Sequence, residues 1–162
     1  MSSTSHLTNS HHDLSERTEM IEGTRWTVGF THAQLETLAR YMDSFEVDAG
    51  QTILHEGGKD AQMLLVVSGT VDVAKDDGEG GTKVVASIGA GRTFGEMSLI
   101  DGQPRSASAV AATDVTFLLL SQESFESVTE SFPELGVRIY AKLAKMLSQR
   151  LRKTTGRLID HL

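Results

Sequence analysis

The stretch from Arg92 to Ala109 contains the residue types that a phosphate-binding loop needs. Gly95 permits a tight turn where a strand ends at Phe94, and the residues that follow can form a single helical turn whose free N–H groups favour an anion. Arg105 comes directly after a proline, and a guanidinium can form paired hydrogen bonds with a phosphate. The sequence therefore predicts an anion-binding loop in this stretch.

Two further polar side chains in the same stretch indicate which kind of anion is bound. Ser106 adds a hydroxyl donor next to Arg105. Glu96 brings a carboxylate, which would repel a simple anion but can accept a hydrogen bond from a sugar hydroxyl. A phosphate and a ribose together indicate a nucleotide. The alternative is that Glu96 and Arg105 form an ion pair with each other and bind no ligand.

Short runs of β-branched and aliphatic residues surround this loop, and glycines separate them. This spacing is typical of an all-β sandwich, roll or barrel. Asp76 to Gly81 has the composition of an exposed hairpin tip. The runs predicted as strands are SFEVDAG, QTILHEG, MLLVVSGTVDV, TKVVASIGAG, SASAVAATD and VTFLLLS.

Helical patterns flank the predicted strands on both sides. Thr31 can cap a helix whose apolar residues fall on one face, and Ser121 can cap a second, short helix. Pro133 suits the first turn of a third, longer helix. Gly156 costs this helix about 1 kcal/mol relative to alanine, so we expect a bend, fraying or an end near that point. The apolar stripe of the long helix comprises Leu135, Ile139, Leu143, Met146, Leu147, Leu151 and Leu158.

Charge is distributed unevenly along the chain, whose formal net charge is -7. Residues 133–162 carry 7 basic and 2 acidic residues, whereas the first 132 residues carry 8 basic and 20 acidic ones. The acidic total argues against a whole-protein nucleic-acid binder. The basic C-terminal helix is interpreted as a solvated face, with a docking surface for an acidic partner or a membrane as the alternative.

The first 20 residues are rich in serine, threonine and histidine, and they predict a flexible tail. His6, His11 and His12 could bind a metal there, although a flexible tail is the preferred interpretation. The absence of cysteine excludes disulfides and cysteine-based zinc sites. The sequence has the pattern of neither a secretory signal nor a membrane span, so we expect a cytoplasmic location.

The loop resembles the phosphate-binding cassette of cyclic-nucleotide-binding domains, which occur in the catabolite activator protein, protein kinase A regulatory subunits and cyclic-nucleotide-gated channels. The family pattern is Phe-Gly-Glu, then Leu or Met, any residue and Leu, followed after a short link by Pro-Arg and two small residues. This sequence supplies Phe94-Gly95-Glu96-Met97-Ser98-Leu99 and Pro104-Arg105-Ser106-Ala107. The segment DAGQTILHEGGKDAQMLLVVSGTVDV is similar to the family's opening strands, and the resemblance covers about residues 28–155.

The resemblance implies a mainly β fold with flanking helices. The expected architecture is a β-roll, a jelly-roll-like barrel, with an N-terminal helix and two C-terminal helices. The domain would span residues 21–162, with the roll at about 43–120 and the C-terminal helices at about 121–160.

The resemblance also implies a role for each residue of the loop. Glu96 would accept a hydrogen bond from the ribose 2′-OH, and the Gly95 backbone would lie close to the sugar. Arg105 would pair with the exocyclic oxygens of a cyclic phosphate, and Ser106 would donate to the same phosphate. The backbone N–H groups of the two residues after Glu96 would complete the anion site. The predicted ligand-binding residues are Phe94, Gly95, Glu96, Met97, Ser98, Arg105, Ser106, Ala107, Thr154 and Thr155.

The resemblance places the contact to the base late in the final helix. QRLRKTTGRL is similar to a segment of the catabolite activator protein in which a threonine and a serine contact the base, and it puts Thr154 and Thr155 at those positions. The second hydroxyl comes from the partner subunit there, so a homodimer through the C-terminal helix is an open alternative. Arg150 or Arg152 could cap the base instead, and the two threonines could be ordinary polar residues at a helix end.

The resemblance favours cAMP over cGMP, because bacterial cAMP binders also have a serine at the cassette position of Ser106. A cyclic dinucleotide is an alternative. Only seven residues follow Thr155, too few for a DNA-binding module.

We expect no catalysis, cofactor or metal. The expected output is a rearrangement of the helices that a separate protein effector recognises. A degenerate domain that acts as a protein adaptor is the alternative. A cupin-type metalloenzyme is disfavoured because only His55 lies in the predicted β region.

Overall fold

Two antiparallel sheets of four strands each lie in the first of two compact units of the chain. A computed structural model describes residues 7–161; the first unit ends at Phe125 and the second begins at Glu126. The strands are β1 (Asp43–Val47), β2 (Thr52–Leu54), β3 (Gln62–Ser68), β4 (Val71–Asp76), β5 (Thr82–Ile88), β6 (Thr93–Phe94), β7 (Ser108–Ala111) and β8 (Val115–Ser121). Their orders are β1-β8-β3-β6 and β2-β7-β4-β5. The predicted mainly β fold is confirmed.

Side chains from both sheets form one apolar cluster. Leu64 and Val66 of β3 belong to this cluster because alternate residues of a strand share a face, and across the ladder they pair with Leu119 and Phe117 of β8. Phe117 stacks on Phe45 of β1, with ring centroids 5.4 Å apart. Each such buried side chain contributes about 1.5–3 kcal/mol. The core thereby fixes the register of β3, which lies beside the predicted binding loop.

The predicted hairpin tip joins β4 to β5. The Asp77 carboxylate accepts hydrogen bonds from the backbone N–H groups of Glu79 and Gly81. These bonds favour the ionised carboxylate, so they hold the pKa of Asp77 below its ordinary value. The tip is therefore a turn held by its own side chain, as the composition predicts.

The N-terminal helices include one that the sequence analysis missed. Helix α2 (His32–Arg40) begins after Thr31, whose hydroxyl caps it as predicted. A further helix, α1 (Leu14–Glu22), and a 3-10 turn (Arg25–Thr27) precede it. The prediction of a flexible tail over residues 1–20 is therefore wrong for 14–20. Asp13 and Glu16 form a reciprocal capping box at the start of α1, and Thr18 and Ile21 are buried.

The histidines of the N-terminal segment show no metal-ligating arrangement in the described residues. His6 lies outside these residues. His12 Nδ1 is 3.1 Å from the hydroxyl oxygen of Ser44 on β1, so this histidine is tied to a strand. Within residues 7–161, no group of three or more His, Cys, Asp or Glu side chains could hold a metal ion.

The two C-terminal helices are α4 (Gln122–Ser131) and α5 (Pro133–Asp160). The Ser121 hydroxyl accepts a hydrogen bond from the Ser124 N–H at 3.1 Å, and Pro133 occupies the first turn of α5, both as predicted. Gly156 neither ends nor interrupts α5, contrary to expectation. A cost of about 1 kcal/mol is too small to stop a helix whose neighbouring residues favour it.

No helix in the described part of the chain is long and apolar enough to cross a membrane.

Candidate functional site

The predicted turn after β6 adopts a conformation that only glycine fits. Gly95 has a φ of +80°, and it immediately precedes α3 (Glu96–Asp101). A Cβ atom at this position would lie 2.5 Å from Nη1 of Arg105 and 2.8 Å from the carbonyl oxygen of Gln62. Both the left-handed backbone and the close approach of the guanidinium therefore require glycine.

Backbone hydrogen bonds fix the position of Arg105. Its N–H donates to the Gly58 carbonyl at 2.8 Å, and its own carbonyl accepts from the Gly57 N–H at 2.9 Å. The residue is thus held on the turn between β2 and β3, although it is distant from that turn in the sequence. This attachment directs the side chain along the start of β3.

Two further bonds fix the guanidinium of Arg105. Nη1 donates to the Gly95 carbonyl at 2.7 Å, and Nη2 donates to the Gln62 carbonyl at 2.8 Å. The side chain is therefore locked between the turn at the end of β6 and the first residue of β3. Gly95 and Arg105, which were each predicted as ligand-binding residues, are in direct contact.

The Arg105 guanidinium is a buried cation with an unused donor. The residue is 5% exposed, and no group in residues 7–161 accepts a hydrogen bond from its Nε–H. Burial lowers the pKa of Arg105, while the charges of Asp60 and Glu96 act in the opposite direction. An arginine remains protonated even so. A buried positive charge with a free N–H is suited to an anionic acceptor.

The other cassette residues are arranged around this guanidinium. Glu96 is the first residue of α3 and is only 1% exposed, so its carboxylate is removed from bulk water. Ser98 is buried on the same short helix, whereas Met97 points outward and is 55% exposed. Phe94 belongs to the apolar core, which suits packing beneath the loop. Beyond Arg105, the predicted Ser106 is exposed and Ala107 is half-buried.

Gln62 contacts the cassette arginine, and the sequence analysis did not single it out. It is 3% exposed, its carbonyl holds Arg105, and its side-chain Nε2 has no hydrogen-bond partner in the part of the chain that the structure describes. The available signal was a single amide at the head of the apolar run QMLLVV. Its significance depends on the pairing of β3 with Arg105, which is not local in sequence.

Comparison with known proteins decides the family. The model of the cyclic nucleotide-binding domain matches residues 44–132, which is more than half of the chain. The chain belongs to the cyclic nucleotide-binding domain family. The match lies inside the range of about 28–155 over which the resemblance was recognised, and the resemblance is confirmed.

Relatives of this cyclic nucleotide-binding domain are larger proteins of several kinds. The chain is 31% identical over 122 residues to the Pycsar effector protein XpPycTIR of Xanthomonas perforans, and the alignment covers 75% of this chain and 39% of that protein. It is 38% identical over 107 residues to a cyclic nucleotide-gated potassium channel of Rhizobium etli, and this alignment covers 66% of this chain and 28% of the channel. It is 31% identical over 125 residues to the cyclic AMP receptor protein of Thermus thermophilus, covering 77% and 56%. The chain thus spans 28% to 56% of the length of these relatives.

Solved structures confirm the β-roll with helices before and after it. A cyclic nucleotide-binding domain from Methylobacillus flagellatus superposes with a TM-score of 0.78 at 31% identity, covering 92% of this chain and 84% of the other. The catabolite activator protein of Thermus thermophilus superposes with a TM-score of 0.72 at 30% identity, covering 82% and 61%. The architecture implied by the cassette is therefore the architecture observed.

The predicted base contacts lie on α5, in the second compact unit. Thr154 and Thr155 are exposed, and the Thr154 hydroxyl donates to the Arg150 carbonyl of its own helix at 3.0 Å. Arg152 is also exposed. The assignment of any of these residues to the base of a nucleotide stays a prediction.

Proposed function

We propose that this cyclic nucleotide-binding domain senses a cyclic mononucleotide, cAMP in preference to cGMP, and signals to a separate protein effector through its C-terminal helices. The observation that carries the proposal is the buried Arg105 guanidinium, held by two backbone carbonyls with its Nε–H unused. A buried cation of this kind costs stability unless an anion compensates it. A phosphodiester supplies an anionic acceptor for the unused Nε–H.

The charges around Arg105 favour a monoanion over a dianion. Glu96 and Asp60 both lie close enough to influence the pKa of Arg105. A phosphate monoester carries nearly two negative charges at neutral pH and would be repelled by both carboxylates. A cyclic phosphodiester carries one. Glu96 is then available to accept the hydrogen bond of a ribose 2′-OH, as the cassette resemblance implies.

The choice of cAMP rests on relatives and on one residue. The relative in Thermus thermophilus is named a cyclic AMP receptor protein, and one in Mycobacterium tuberculosis is named a cAMP-activated transcriptional regulator. Ser106 lies beside Arg105 and can donate its hydroxyl to the phosphate. The resemblance assigns the base contact to Thr154 and Thr155, with Arg150 or Arg152 as the alternative. The domain itself would perform no catalysis.

Signalling would use the helices, since ligand shifts the population towards whichever helix arrangement binds it better. Helix α5 exposes Val137, Tyr140, Leu151 and Leu158. Counted from Val137, these four residues fall at positions a, d, a and a of a heptad repeat. This exposed stripe of four side chains supports a homodimer through α5, and the basic residues around it support an acidic effector.

Calorimetric titration with cAMP, cGMP, 5′-AMP and a cyclic dinucleotide tests the proposal. We expect cAMP to bind with the lowest Kd. Arg105→Lys should raise that Kd by about 10- to 150-fold, because a charge-assisted hydrogen-bond geometry is lost while the charge is kept. The matched control is Arg40→Lys, an exposed arginine bonded to Glu36 on α2. Absence of binding to every cyclic mononucleotide would contradict the proposal and favour a protein adaptor. Tighter binding of the cyclic dinucleotide than of cAMP would show that the proposed ligand is wrong and that the domain senses a cyclic dinucleotide.

A further inference from the structure

Gln62 leaves a hydrogen-bond donor unused in the interior of the protein. The residue begins β3 and is 3% exposed, and within residues 7–161 nothing accepts a hydrogen bond from its Nε2. Native structures rarely leave a buried amide donor without an acceptor, because the amide loses its water and gains nothing in return. Such a group calls for a partner that the chain alone does not supply.

The direction of the Gln62 side chain follows from the pleat of β3. Alternate residues of a strand share a face, so Gln62 lies on the same face as Leu64 and Val66, which belong to the core cluster between the sheets. Leu64 pairs with Phe94 of β6. Continuing past Phe94 along the chain leads to Gly95, whose added Cβ would be 2.8 Å from the Gln62 carbonyl oxygen. The backbone of Gln62 therefore adjoins the cassette turn, and its side chain lies on the core-facing side of β3.

A second unused donor lies at the same place. Arg105 donates through Nη2 to the Gln62 carbonyl, and its Nε–H is also buried without an acceptor among the described residues. These two groups are both N–H donors, so each of them requires an acceptor. An oxygen-rich anion meets that requirement, and a second donor from the protein would not.

We propose that the side-chain amide of Gln62 donates a hydrogen bond to the phosphodiester of the bound cyclic nucleotide, next to Arg105. The inference rests on the proposed function and names a further binding residue for it. A phosphodiester offers several acceptor oxygens close together, so one group can satisfy both the Gln62 amide and the Arg105 Nε–H. An amide adds this donor without adding charge, which keeps the site matched to a monoanion.

Two opposite effects of one substitution test the proposal. Gln62→Leu removes the donor and keeps a side chain of similar size. We expect the Kd for cAMP, measured by calorimetry, to rise about ten-fold or more. We expect the midpoint of thermal unfolding without ligand to be unchanged or higher, because an unsatisfied buried amide has been removed. Gln149→Leu, an exposed glutamine on α5, is the matched control and should change neither Kd nor the ligand-induced rise in Tm.

A second variant keeps the test decisive if leucine disturbs the fold. Gln62→Glu preserves the shape but replaces the donor with an acceptor that repels phosphate. It should raise the Kd for cAMP more than Gln62→Leu does. Equal affinity for cAMP in the wild type and both variants would overturn the inference while the proposed function stands. A wild type that binds no cyclic mononucleotide would overturn the proposed function itself.

2′-Deoxy-cAMP locates the contact on the ligand. Glu96 is assigned to the 2′-OH, so removing that hydroxyl should weaken binding by the same factor in the wild type and in Gln62→Leu. If the loss disappears in Gln62→Leu, the amide contacts the sugar and its assignment to the phosphodiester is overturned.

Discussion

Nη1 of Arg105 lies 2.7 Å from the carbonyl oxygen of Gly95, and the same nitrogen would lie 2.5 Å from a Cβ atom added to that glycine. The tight turn and the buried guanidinium are thus one unit, since the turn presents its carbonyl to the guanidinium and leaves no room for a side chain. The presence of both a glycine at position 95 and an arginine at position 105 therefore has a direct structural cause in this contact.

Gly95→Ala should separate the two parts of this unit. The new Cβ displaces the guanidinium, and the left-handed backbone adds strain of about 1–2 kcal/mol. We expect a loss of unfolding free energy of about 2–5 kcal/mol by the sum of strain and overpacking, measured by urea denaturation, and at least a ten-fold rise in the Kd for cAMP. Gly78→Ala is the matched control, because Gly78 has a φ of +78° but open space around its Cβ position. It should lose only about 1–2 kcal/mol by the backbone strain alone and keep its affinity. Equal effects of both variants on Kd would contradict the account.

Glu96→Gln should change which phosphates the domain accepts. The substitution removes a negative charge beside Arg105 and weakens the acceptor for a ribose hydroxyl. We expect the Kd for cAMP to rise about ten-fold, since a charge-assisted hydrogen bond is replaced by a weaker neutral one. The ratio of the Kd values for 5′-AMP and cAMP should fall at the same time. Calorimetry at pH 7.5 measures both ligands. A ratio unchanged from the wild type would show that Glu96 does not select against the dianion.

Sequence predicted most of what depends on local chemistry. The turn at Gly95, the caps at Thr31 and Ser121 and the start of α5 at Pro133 each follow from the conformational preferences of a few adjacent residues. The β-roll followed from strand spacing together with the cassette. These features need no knowledge of distant contacts.

What sequence missed depends on pairing between distant segments or on summed small energies. The capping box of Asp13 and Glu16 was visible, but α1 also needs the burial of Thr18 and Ile21, which composition did not indicate. The contact of Gln62 with Arg105 joins two residues that are forty-three positions apart in the chain, so no local pattern predicts it. Gly156 was overestimated as a helix breaker, because the free-energy cost of one unfavourable residue is small compared with the stabilisation of a helix of 28 residues.

His32 offers a pH-dependent prediction away from the binding site. A hydrogen bond and the charge of Glu22 raise the pKa of His32 above its ordinary value of 6.5. A raised pKa in the folded state means that the stabilisation is present below pH 6.5 and is lost as the pH rises through the folded value. An NMR titration of the imidazole protons should give a pKa above 6.5, and Glu22→Gln should return it towards 6.5. A wild-type pKa at or below the ordinary value would contradict this pairing.

Leu151→Glu tests the proposed homodimer. Leu151 is 68% exposed on α5, and a charge there would be buried unpaired in a seam between two helices. We expect sedimentation to show a dimer for the wild type and a monomer for this variant. Lys153→Glu, exposed on the same helix but off the stripe, is the control and should stay dimeric. A wild type that is monomeric at every concentration from about 1 to 100 μM, with and without cAMP, would contradict the dimer.

The NMR signal of the Arg105 Nε–H tests the central proposal most directly, because this N–H belongs to the buried cation and has no acceptor in the described chain. The signal can be assigned in a ¹H–¹⁵N spectrum by its loss in Arg105→Lys. Titration with cAMP should move the proton downfield and slow its exchange with water, as expected when an anionic oxygen accepts its hydrogen bond. A signal that keeps its position and exchange rate at saturating cAMP would contradict the account.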